Sequence, residues 1–189
     1  LRLCRASLPP AGPAYGVGAS VRALSVTPLC QPVGGRSAVI FAAVASRQDE
    51  AKKTSGTKAV DRDGVVLCAK LCIEAAVPRL VLVSSGGVSK PRSAVYLFLN
   101  AVAGGIMDAK ISGEAQMRRL YAAPGVASAG VGYTIVRPGG LTPEAPLRVG
   151  AGELNQGADK SGRIARAGVA ASFLTRLASP ATLYTTVAC

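Results

Sequence analysis

Three short apolar runs, each ending in small residues, constrain this chain more than any other feature. They are SAVIFAAV (37–44), LVLVSS (80–85) and YTIVR (133–137). Runs this short and this rich in β-branched residues read as strands buried on both faces. Helical spacing fills the intervals between them. Asp61 and Asp63 stand where helix-start residues belong, Val65, Ala69, Cys72, Ile73 and Ala76 recur on one side, and Pro78 stops the segment. Residues 106–121 form another helical segment, on which Glu114 and Arg118 are an i,i+4 pair. A last helix is expected over 161–179 and a last strand at TTVAC (185–189). Strand and helix alternating in units of this size predict parallel βαβ crossovers. The expected fold class is therefore α/β, a Rossmann-like open parallel sheet with helices on both faces.

Composition narrows the chemistry. The 189 residues include no His, which removes Ser-His-Asp and Cys-His machinery and every His-ligated metal or haem site. Proton transfer would fall to Lys, Tyr, Asp, Glu or Cys. Five cysteines at irregular spacing suggest neither a disulfide framework nor a metal site. Cys68 and Cys72 share a helix face and read as small buried residues. No metal is expected.

Charge is unevenly placed. The net charge is +12, yet residues 1–48 hold five Arg and no acid, the first carboxylate being Asp49. Such a start resembles an organelle transit segment. Residues 1–36 are accordingly read as a basic arm or a remnant of a first Rossmann half, and 37–189 as the α/β domain. A basic surface favours acidic protein partners or anionic membrane faces. Aromatics are only 4%, too few for a base-stacking platform, so nucleic acid is not an expected partner. The stretch 93–107, fifteen uncharged residues, is shorter than the roughly 20 that cross a bilayer. It reads as a buried helix, with a lid or docking surface as the alternative.

Ligands in such sheets bind outside the carboxyl ends of the strands. Here those ends carry Ala42, Ala43 and Ser46, then Ser84 and Ser85, then Pro138, Gly139 and Gly140. Small residues at all three let a flat ring or a sugar approach the backbone.

Five stretches then resemble one family in its own order: AVIFAA (38–43), AVDRDGVVLCAKLCIEAAVPRLVLVSSGGVSKP (59–91), DAKISGEAQMRR (108–119), YTIVRPGGLT (133–142) and DKSGRIARAGVAA (159–171). The family is the atypical short-chain dehydrogenase/reductases, NmrA-like NAD(P)-binding proteins, and the likeness is nearest to their plastid and cyanobacterial members. The resemblance implies NADP or NAD as cofactor, Lys110 as a ribose contact, and Ser84 or Ser85 as the strand-end serine that orients a substrate carbonyl. It also implies a chloroplast setting, in the stroma or on the stromal face of a membrane complex, thylakoid or other.

Two departures shape the functional expectation. The glycine cluster Gly12, Gly16, Gly18 lacks the strand before it and the helix after it that a phosphate-binding turn requires. The front of the fold is expected to be incomplete. Ile106 stands four residues before Lys110, where the family's proton-relaying Tyr belongs. Tyr96, placed in a variable loop, is the nearest substitute. The expectation is a degenerate NAD(P)-binding protein acting as a structural or anchoring subunit, with an active NAD(P)H-dependent oxidoreductase or isomerase as the alternative.

Overall fold

A computed structural model describes residues 38–45, 56–143, 155–156, 162–170 and 180–189. The basic arm, Gly12, Gly16, Gly18 and Ser46 lie outside the described residues. All four expected strands form: β1 (Val39–Phe41), β2 (Arg79–Val83), β3 (Gly132–Arg137) and, last in the chain, β7 (Thr185–Ala188). They pair in parallel in the order β1-β2-β3-β7, and β5 (Asn155–Gln156) adds to β7 in the antiparallel sense. A separate two-stranded parallel sheet joins β4 (Gly140–Thr142) to β6 (Arg163–Ala165).

Side-chain alternation along β2 divides the interior. Leu80 and Leu82 face one layer with Val39, Tyr133 and Ile135, packed on Val65, Ala69, Cys72, Met117 and Tyr121. Val81 faces the other, with Val136 and Val187 against Val169. Both faces are thus covered, which explains why these strands are apolar throughout instead of alternating.

Two helices supply the first layer. In α1 (Val65–Glu74) residues Val65, Ala69, Leu71 and Cys72 are buried. Its approach is not the expected one. The chain is already helical at Gly56 and Thr57 and passes through a π-helical segment, Lys58–Gly64, before α1. Asp61 is therefore inside the helical path and fully buried, so its expected role as a helix-start residue is corrected. Ala76 lies beyond the end of α1 in a left-handed conformation, with φ 49°, and is exposed rather than on the buried stripe. The second helix of the layer, α3, runs from Ile106 to Tyr121, as its spacing predicts.

The stretch 93–107 departs most from expectation. Ser93 caps α2 (Ala94–Val102) by accepting the Tyr96 N–H at 3.1 Å. Only one side of α2 is covered, where Tyr96 packs with Val88 and Met107. Val95, Leu97, Phe98 and Val102 are 58–63% exposed. Apolar composition without a charge reads as burial, but among the described residues nothing packs on this face, so the buried-helix expectation is corrected. Tyr96 likewise lies on a helix and not in a loop. At the other end of the chain, the expected helix over 161–179 is interrupted at its start by β6, with residues 166–170 helical behind it; 171–179 lie outside the described residues.

Candidate dinucleotide site at the strand ends

The carboxyl ends of β1 and β2 open into a cleft lined by Phe41, Ala43, Asp61, Val65, Leu82, Val83, Ser84 and Lys110. The cleft is partly open to solvent. Small side chains at its rim, Ala43 and Ser84, leave the strand-end backbone open to a ring or a sugar.

Lys110 reaches it because of Gly113. A Cβ at Gly113 would stand 2.6 Å from the backbone O of Asp61 and 3.2 Å from the Cα of Arg62. Without that side chain α3 lies directly on the π-helical segment. One turn back along α3, the Lys110 ammonium then meets the Asp61 carboxylate, Nζ to Oδ1 at 2.7 Å. The Asp61 side chain is 0% exposed and that of Lys110 12%. The second Asp61 oxygen, Oδ2, accepts the Ala45 N–H at 3.2 Å. Both carboxylate oxygens are thus committed, one to α3 and one to the chain leaving β1. A carboxylate so deep requires such partners, because an unpaired buried charge costs several kcal/mol.

Ser84 completes the cleft. Its N–H continues the β2–β3 ladder by donating to Val136 O at 2.8 Å. Its Oγ is buried with no hydrogen-bond partner among the described residues. A buried hydroxyl left unpaired costs about 1–3 kcal/mol, and a polar group on a bound ring would relieve that cost.

The remaining expected residues are spread around this point. Ala43 lines the cleft and Ala42 is exposed beside it. The Ser85 Oγ accepts the Gly87 N–H at 3.3 Å and so caps the 3-10 turn Gly86–Ser89. Pro138, Gly139 and Gly140 form a corner with work of its own. Pro138 O accepts from Gly86 N at 2.7 Å, Gly139 N donates to Cys189 O at 2.8 Å, and Gly140 N donates to Gly162 O at 3.0 Å. A Cβ at Gly139 would run into the Gly162 carbonyl. These glycines permit backbone to approach backbone where β4 meets β6.

Tyr96, the expected substitute acid, is engaged elsewhere. It is 5% exposed and its hydroxyl donates to Asp108, which also accepts from Asn100 at 2.7 Å. Burial, then the bond to Asp108, pushes its phenol up to about 12. A proton held that tightly is poorly placed for transfer near neutral pH.

Two features escaped the sequence. Asp61 looked like a helix start, and its signal was a lone acid within an apolar helical stripe. Glu114, 2% exposed, looked like half of a surface i,i+4 pair. It does accept from Arg118 at 3.3 Å, but Arg137 at the end of β3 also grips it through Nε at 3.2 Å and Nη2 at 2.6 Å. Arg137 Nη1 reaches Ser89 at 3.3 Å. This fork ties α3 to the strand ends behind the cleft. No group of three or more potential metal ligands occurs among the described residues.

The fold recurs in solved structures. One is a Bacillus halodurans protein assigned as an NAD-dependent epimerase/dehydratase, 21% identical, covering 84% of this chain and 66% of its own, at TM-score 0.64. Another is the oxidoreductase ylbE from Lactococcus lactis, 18% identical, covering 87% of this chain and 66% of its own, at 0.63. A third is ChuY, an anaerobillin reductase from Escherichia coli, 20% identical, covering 92% of this chain and 71% of its own, at 0.61. Against the first two, the chain spans just under two thirds of the neighbour's length. Among curated proteins no match to the sequence was found. The sheet with its strand-end cleft coincides with a match of residues 19–180 to a single family model, and the chain belongs to that NAD(P)H-binding family.

Proposed function

We propose that this chain is an NAD(P)-binding domain used as an anchoring subunit of a larger protein assembly, in the stroma or on the stromal face of a plastid membrane complex. The observation that carries the proposal is α2. Its outer face presents Val95, Leu97, Phe98 and Val102 to solvent, while its inner face is fixed to α3, the helix that bears Lys110. An exposed apolar patch of this kind marks a partner surface more often than chance. Lys90 and Arg92, exposed just before it, favour an acidic or anionic counterpart. No single helix among the described residues is long and apolar enough to cross a membrane; the membrane contact in this proposal is a peripheral one. Ile106 in place of a relaying Tyr and the acid-free first 48 residues support the same reading.

The test is the size of the native protein in extracts of its source. Migration in a large complex is expected, lost when Phe98→Lys replaces the wild type. A free monomer in both would sink the proposal.

A second reading, an NAD(P)H-dependent oxidoreductase or isomerase, is favoured by the unpartnered Ser84 hydroxyl beside Lys110. Those two groups fit the sugar or the ring at one end of a nicotinamide dinucleotide, with NADP and NAD as separate arms of the test. The recombinant protein is titrated with NADPH and NADH while cofactor fluorescence is followed. No binding of either at millimolar concentration removes this reading.

A further inference from the structure

We infer that Asp61 is the positioning residue of the cleft, setting the Lys110 ammonium for a polyhydroxyl ligand and linking its place to the end of β1. The inference rests on the NAD(P)-binding reading for its ligand but not for its geometry. The Asp61 side chain is 0% exposed and accepts from Lys110 at Oδ1 and from Ala45 N at Oδ2, so it acts on a ligand through Lys110. A protonated lysine has three donors. One is used by Asp61, leaving two that can face the cleft beside the Ser84 hydroxyl. Two adjacent donors from one point charge suit the vicinal oxygens of a sugar diol. Lysine alone would hold them poorly, since its four-carbon stem is flexible. The Asp61 carboxylate removes that freedom, and it is itself locked by Ala45 and by the backbone contact that Gly113 allows. Any movement of the chain at Ala45 on ligand entry would therefore be felt at Lys110.

Two readouts test this. First, labelling of Lys110 by an amine-directed acylating reagent, read by peptide mass spectrometry, needs no cofactor. Asp61→Asn is expected to raise the labelling rate at least threefold by releasing the ammonium, with the other lysines unchanged. Second, NADPH affinity is expected to fall on the order of 10-fold in Asp61→Asn, within the range of coupling between residues in contact. Lys110→Ala should lose a similar amount, and the double variant no more than either single one, because the two act as a unit. Unchanged labelling in a folded Asp61→Asn overturns the inference, as do additive losses of affinity. Asp61→Glu keeps the charge but moves it by one methylene, and intermediate values are expected. It carries the test if Asp61→Asn does not fold, and wild-type labelling and affinity would then overturn the idea. If the wild type binds neither NADPH nor NADH, the cofactor reading fails while labelling still decides the role of Asp61.

Discussion

At the residue scale, buried charges fix α3 to its neighbours, through Lys110 on Asp61 and through Glu114 on Arg137. Glu114 sits at 2% exposure between Arg137, 14% exposed, and Arg118, 40% exposed. Removing one member of such a group leaves a buried partner uncompensated, which costs about 3–5 kcal/mol. Glu114→Ala is therefore expected to lower stability by about 3 kcal/mol, or roughly 6–12 °C in a chain of this length. Arg118→Ala, more exposed, should cost under about 1 kcal/mol. Thermal unfolding by circular dichroism separates the two, and equal small shifts would contradict the burial argument. Tyr96 makes a second prediction. Its ordinary phenol value of 10 is raised to about 12, first by burial and then by the bond to Asp108. The neutral phenol is favoured in the fold, so this contribution is complete below pH 10 and lost as pH climbs from 10 to 12. Absorbance titration should show a tyrosine step near pH 12 that is absent in Tyr96→Phe; Tyr121, pushed up further by its burial, ionises only on unfolding in both proteins. None of this was visible beforehand. An i,i+4 spacing states that Glu114 and Arg118 can meet, not that a third group, Arg137, arrives from a strand 23 residues away.

At the element scale, legibility followed the strength of the local signal. Helix α3 was read to its exact ends because its polar and apolar residues recur at helical period and Gly104-Gly105 precede it. Strand β2 was read almost as well. The path into α1 was not, because Thr57 and Lys58 look polar and loop-like while Thr57 is buried. Helix α2 was found but assigned the wrong environment, since composition cannot say whether an apolar face meets its own core or a partner. The Lys110 site depends on how closely α3 approaches the π-helical segment, and Gly113 controls that. Gly113→Ala gains up to about 1 kcal/mol of helix propensity. Its methyl group, 2.6 Å from Asp61 O, meets rigid backbone, and overpacking of that kind costs about 1–3 kcal/mol. Net destabilisation of about 1 kcal/mol is expected, together with faster labelling of Lys110. A variant more stable than wild type with unchanged labelling would show that α3 can shift freely.

Over the whole molecule, the parallel sense of the main strands was legible because each βαβ unit announces itself by a change of hydrophobic period, whereas the order β1-β2-β3-β7 came from the structure. The edges were not. Strand β5 has two residues and the β4–β6 pair three each, too short to show a period against a Gly- and Pro-rich background. The same lengths predict how stability is distributed. Five residue pairs join β2 to β3 and four join β3 to β7. Leu80, Leu82 and Ile135 lie at 0–3% exposure in this centre. In the β4–β6 pair, Arg163, Gly140 and Leu141 are exposed. Opening free energies run from near zero at such margins up to the global value in the centre. Native-state hydrogen exchange should therefore find the amides of Leu80, Leu82 and Ile135 exchanging only through global unfolding. Amides of Leu141 and Ile164 should exchange at least 100-fold faster. A site at the β1 and β2 ends would then rest on the slow centre on one side, at Leu82, Val83 and Ser84. Uniform protection across both sheets would refute this division and make the β4–β6 corner part of the same cooperative unit.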